Sequence, residues 1–132
     1  MRCDFDLPAH DVEFLSSTDW DWETVRDGTA NWLLLHQFVV PPGYSQQVVT
    51  AALRIEPGYS DTQIDMVYFN PSLARTDGRH VGGTDGTGTI LGQTFQRWSR
   101  HRTGANPWRP GLDDVSTHIA LVRHWLEREF VR

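Results

Sequence analysis

A chain of 132 residues with 39% hydrophobic and 11% aromatic content, six tryptophans among them, is long enough to bury a core and too apolar to stay disordered. Its net charge of −5 argues against general affinity for nucleic acid or an anionic membrane, and no apolar run approaches a membrane span. All twelve basic residues are arginine and none is lysine. GC-rich codon usage produces such a bias. A protein that handles amine-reactive acyl groups also gains from having no ε-amine to be attacked.

In chain order, residues 1–17 form an N-terminal extension, with Leu7-Pro8 extended and Val12-Glu13-Phe14-Leu15 able to make a short strand. No basic-then-apolar leader pattern opens the chain, which predicts a cytoplasmic protein. Trp20 to Arg26 alternates and meets the hairpin signal Asp27-Gly28. Trp32 to Val40 is an apolar run closed by Pro41-Pro42-Gly43, the pattern of a largely buried strand. Gln46 to Ile55 stops at Pro57-Gly58, and Ile64 to Phe69 stops at Asn70-Pro71. Four strands with short connections predict an antiparallel meander over 20–70.

Residues 71–95 are glycine-rich and predict a long mobile flap, with Thr94 to Trp98 a short strand or turn. No Gly-Lys-Ser/Thr follows the glycines, so they do not form a phosphate-binding P-loop. Residues 96–112 hold Trp98, Trp108, Pro107 and Pro110 beside Ser99, Arg100, His101 and Arg102. The prolines forbid regular structure, the indoles demand burial, and such an anchored irregular loop is where a scaffold displays reactive groups. Over 113–131, Val115, Ile119, Val122, Leu126 and Phe130 keep helical spacing, while His118, Arg123, His124, Glu127, Arg128 and Glu129 fall mostly on polar sides. Asp113 or Asp114 can cap that helix. Strands first and a packed helix last give one α+β domain. Trp20, Trp22, Trp32 and Trp125 are expected in core or interface packing.

The order of these motifs resembles the ubiquitin-conjugating (E2) fold, and more closely the bacterial group called prokaryotic E2 family E. The carrying residues are Val39-Val40-Pro41-Pro42-Gly43-Tyr44, Glu56-Pro57-Gly58-Tyr59, Ile64-Asp65-Met66, Arg97-Trp98-Ser99-Arg100-His101 and Trp108-Arg109-Pro110-Gly111-Leu112-Asp113-Asp114, spread over residues 30–126. The resemblance implies an acyl carrier that takes a ubiquitin-like protein from an E1-like adenylating enzyme and passes it to a target amine, often beside a deconjugating peptidase. It implies no ATP, metal or other cofactor on this chain, because activation belongs to the adenylating partner. The E2 nucleophile lies upstream of Trp-x-Pro at the spacing of Ser99 before Trp108 and Pro110. Three departures accompany that match: no cysteine in the region, no His-Pro-Asn motif, and a longer flap.

Serine needs an adjacent base where cysteine does not, so the expected chemistry is an oxyester on Ser99 with His101 as base. Arg97, Arg100 and Arg102 are candidates to stabilise an oxyanion or grip an acidic carrier tail, with Trp108 as a binding residue. In E2-like enzymes an acid near Asp113 and Asp114 orients the incoming amine; the same pair can simply cap the helix. A non-catalytic variant that binds the carrier or scaffolds ligation is the alternative, in which Ser99 and His101 make only structural contacts. A Ser99–His101 hydrolase is a third reading, for which the sequence shows no orienting acid. Cys3, the single cysteine, sits at a fringe expected to fray, and His80 is a possible flap contribution. His10, His36, His80, His101, His118 and His124 lack paired spacing for zinc.

Overall fold

The computed structural model describes residues 1–131. A short helix, α1 (Ala9–Ser16), precedes β1 (Asp21–Asp27), β2 (Ala30–Val39), β3 (Val48–Ile55), β4 (Val67–Asn70), β5 (Thr87–Ile90) and β6 (Gln93–Trp98), and α2 (Val115–Arg128) follows. All six strands belong to one antiparallel sheet in the order β1-β2-β3-β4-β6-β5. The expected meander is therefore its first four strands, and the sheet is six-stranded rather than four-stranded. The flap supplies the difference. Ile90 and Gln93 pair across Leu91-Gly92, both at positive φ, and this two-residue turn makes a β5–β6 hairpin from Thr- and Gly-rich sequence.

The sheet curls. The backbone N–H of Leu91 at the tip of the β5–β6 hairpin donates to the Asp27 carboxylate at the β1–β2 turn, 2.9 Å away, so the two ends of the sheet meet. Inside the curl lies a small core of Val25, Trp32, Leu34, Ala52, Tyr68, Ile90 and Phe95. The larger core occupies the other face, where Leu33, Leu35, Phe38, Phe69 and Trp98 pack against Val115, Ile119, Val122 and Leu126 of α2 and Leu15 of α1. Trp20 and Trp22 are partly buried against this core, and Trp125 lies within it.

Three further expectations change. Val12 to Leu15 lies in α1, because three apolar residues within four positions fit either a strand or one helical turn. His118 is buried, not on a polar face of α2. Cys3 does not sit on a fraying fringe: the backbone N–H of Thr24 donates to Arg2 and that of Asp4 donates to Thr24, which fastens residues 2–4 beside β1. The C-terminal helix begins as its sequence indicates. Asp114 is the N-cap, its carboxylate accepting from the Thr117 N–H while the Thr117 hydroxyl accepts from the Asp114 N–H, a reciprocal capping box.

Candidate active site

Ser99 is the first residue after β6, and the strand's end is rigid for identifiable reasons. Trp98 is fully buried, and its indole N–H donates to the Gln96 side-chain carbonyl at 2.9 Å. The Gln96 amide in turn bonds both the N–H and the carbonyl of Leu73. Beyond the strand, the Ser99 N–H donates to the Gly83 carbonyl of the flap at 2.8 Å, and the Arg100 guanidinium donates to the Gly82 carbonyl at 2.7 Å. Gly83 has φ +73°, and a Cβ there would lie 2.8 Å from that guanidinium and 3.1 Å from the Ser99 carbonyl oxygen. Only glycine lets the flap approach this closely.

From this anchored position the Ser99 hydroxyl lies 3.4 Å from Nε2 of His101. The other ring nitrogen, Nδ1, is 3.0 and 3.1 Å from the two carboxylate oxygens of Asp65. A carboxylate can only accept, so Nδ1–H donates to Asp65, and in the neutral ring Nε2 presents its lone pair to Ser99. Serine, histidine and aspartate thus stand in the sequence of contacts that lets a hydroxyl lose its proton as it attacks a carbonyl.

Asp65 is the residue that sequence reasoning missed as a site residue. It lies far from the Ser99 loop in sequence, on the segment that enters β4, between fully buried Ile64 and Met66 at φ +53°. The Ile64-Asp65-Met66 triplet carries part of the family resemblance by its order in the chain, but nothing in its local sequence marks the acid as a partner of His101. His118 fixes the same segment from α2. Its Nε2–H donates to the Met66 carbonyl at 2.8 Å, and burial holds the ring well below its ordinary pKa, at about 4, so it is neutral near pH 7. Its Nδ1 is buried with no hydrogen-bond partner among the described residues.

The arginines are more committed than the sequence suggested. Arg100 stacks over Trp98 at 5.1 Å and lies 3.5 Å from Glu129, besides its bond to the flap. Arg102 lies over Trp108 at 5.0 Å and 3.8 Å from Asp113, with its side chain only 6% exposed. Arg97 underlies Gly86, where a Cβ would come within 2.5 Å of the guanidinium. These contacts hold the loop and the flap.

Trp108 likewise anchors the loop. Its indole N–H donates to the Ser60 carbonyl at 3.0 Å, and its ring packs against Tyr59. The Tyr59 hydroxyl donates to buried Asp11, whose other oxygen accepts from the Val115 N–H at the start of α2. Burial raises the Asp11 carboxyl above its ordinary pKa, opposed by those two bonds.

Asp113 accepts from the Arg109 N–H at 2.7 Å. Burial raises its pKa, but that bond, the Thr117 side chain and the charges of Arg102 and Arg109 outweigh it and leave the carboxyl below its ordinary value. Asp114 is engaged in the capping box and accepts from the Ser116 hydroxyl at 2.6 Å. Asp114 makes the helix cap, whereas Asp113 ties down the loop before it through Arg109 and Arg102. His10 lies 3.6 Å from Asp11 and 3.7 Å from Asp114, joining α1 to the start of α2. His80 pairs loosely with Asp85 within the flap, 3.8 Å apart. Cys3 is exposed, with its thiol near the Phe5 carbonyl. Among the described residues, no helix is long and apolar enough to cross a membrane.

A model of the family described as "Prokaryotic E2 family E" matches residues 7–129, nearly the whole chain. No match was found among curated proteins or among solved structures.

Proposed function

Since the chain belongs to prokaryotic E2 family E, we propose that it is an acyl carrier in a bacterial ubiquitin-like conjugation pathway and that it works through an oxyester on Ser99. The observation that carries this reading is the Ser99–His101–Asp65 contact series at the place where the resemblance puts the nucleophile. A ubiquitin-like protein arrives with its terminal carboxyl activated by an E1-like adenylating enzyme. Ser99 Oγ attacks that carbonyl carbon, its proton passes to His101 Nε2, and the bond to the activating group breaks. The departing group takes the proton. A target amine then attacks the oxyester, Ser99 Oγ leaves and recovers a proton through His101, and an amide remains. Asp65 keeps the imidazole in the tautomer that both steps require.

The absence of lysine suits this chemistry, since no side-chain ε-amine within these 132 residues can capture the acyl group. Arg100 brings positive charge next to Ser99, with its guanidinium also holding the Gly82 carbonyl and Glu129.

The test is the intact mass of the protein co-expressed with a ubiquitin-like protein and an E1-like adenylating enzyme from the same source. The expected result is a one-carrier adduct that disappears on brief alkaline treatment and is absent from Ser99→Ala. Co-purification of the three proteins without an adduct would instead support a non-catalytic variant that only binds the carrier.

A further inference from the structure

An E2 that stores its acyl group as a thioester on cysteine can do so without a base against the nucleophile, whereas an acylated Ser99 would sit 3.4 Å from an imidazole nitrogen. The same base that removes the serine's proton can remove one from water, because deacylation retraces acylation with a different nucleophile. Access for that water is open. The His101 side chain is 60% exposed and that of Asp65 is 35% exposed. Beside the imidazole lies a cavity of about 220 Å³ lined by His101, Arg102, Thr103, His124, Trp125 and Arg128. At about 30 Å³ per molecule it has room for several waters on the His101 side of the site, away from Ser99 and Asp65, which do not line it. The His101 ring nitrogens contact Ser99 and Asp65; once Ser99 is acylated its oxygen no longer carries a proton, and Nε2 is left to accept one from water.

We infer that this protein hydrolyses activated carboxylic esters without any partner, through an acyl-Ser99 intermediate that water discharges. The inference rests on the Ser99 nucleophile of the preceding reading and adds water as a second acceptor beside the amine. In the first step Ser99 Oγ bonds to the ester carbonyl carbon, its proton moves to His101, and the alcohol leaves with that proton. In the second, water adds to the acyl carbon and gives its proton to His101. The Oγ–acyl bond then breaks, and Oγ takes the proton as the free carboxylic acid departs. Water replaces the acceptor amine, so no other reactant is needed. Within the pathway the same step limits how long an oxyester survives when no amine is present.

The experiment mixes the purified full chain with 4-nitrophenyl acetate at neutral pH and follows nitrophenolate release, with intact mass recorded in parallel. The expected result is a burst of one nitrophenolate per chain, a transient acetyl adduct on Ser99, and steady turnover after it. Ser99→Ala removes all three, and His101→Gln slows acylation by about 100-fold. Asp65 acts through the imidazole as a positioning residue. Asp65→Asn therefore slows acylation by about tenfold or more and alters the pH–rate profile, while Asp65→Glu restores part of the rate.

A burst and stable acetyl adduct without turnover would overturn hydrolysis while leaving Ser99 as a nucleophile. Release no faster than that of Ser99→Ala would also overturn it, and the carrier-adduct measurement would then decide the conjugation reading separately. Turnover by a protein that forms no carrier adduct and shows no Ser99-dependent discharge of the activated carrier would sustain hydrolysis and remove the conjugation reading.

Discussion

Ser99 and His101 are two residues apart, so their pairing depended only on the local turn and could be anticipated from the chain. Asp65 could not, because its proximity is produced by the β4–β6 pairing and by the buried anchors Ile64 and Trp98 on either side. Loop residues with matching chemistry announce themselves when adjacent; a third member delivered by a neighbouring strand does not. The fixed base has a consequence for the one substitution that would return this site to ordinary E2 chemistry. Ser99→Cys keeps the position, introduces a more acidic nucleophile, and should form a thioester with the carrier in place of the oxyester. The expected adduct has nearly unchanged mass but is cleaved by a small thiol at neutral pH, which the Ser99 oxyester resists. Thiol-resistant adduct on Ser99→Cys would mean that the carrier is attached elsewhere.

At the scale of elements, most of the scaffold was legible where apolar periodicity or turn chemistry dominates. β2 and β3 carry long apolar runs, the first hairpin turns at Gly28-Thr29, one residue later than the Asp27-Gly28 signal, and α2 has both stripe and cap. The flap was not legible, because Thr-Gly-Thr-Ile carries almost no apolar signal and gains its strand from pairing with β6. His118 was misplaced for a related reason: a histidine within a helix reads as polar, and only the Met66 carbonyl facing it explains its burial. The flap's attachment to Ser99 is testable at Gly83. Gly83→Ala forces a side chain into a left-handed conformation and against Arg100 and the Ser99 carbonyl, at a cost of about 1–2 kcal/mol. The midpoint of thermal unfolding should fall by several degrees, about 4 °C or more. Because the same change displaces the backbone of Ser99, the yield of carrier adduct should fall with it. An unchanged midpoint and an unchanged yield would show that the flap is not held against Ser99.

For the whole molecule, the sheet face that packs on α2 and the segment that presents Asp65 are joined through one neutral histidine. His118 faces Arg102, Asp65 and Asp113, and burial opposes its protonation more strongly than the Met66 carbonyl favours it. The folded ring titrates at about 4, against an ordinary value of 6.5 in the unfolded chain. Above pH 6.5 neither state holds the proton and this histidine exerts no pH dependence. Between 6.5 and 4 the unfolded chain binds a proton that the folded chain refuses, so stability falls as pH falls. The loss reaches about 3 kcal/mol at the acid end of that window. Other groups titrate there too, Asp11 among them, and with its carboxyl raised by burial it acts in the opposite direction. The contribution of His118 is therefore read as a difference: His118→Gln, which can still donate to Met66, should begin less stable at pH 7 but lose less stability on acidification. Chemical denaturation of both proteins across pH 7 to 4 measures the two slopes. Parallel curves would place the buried neutral ring outside the acid response and leave the carboxylates to account for it.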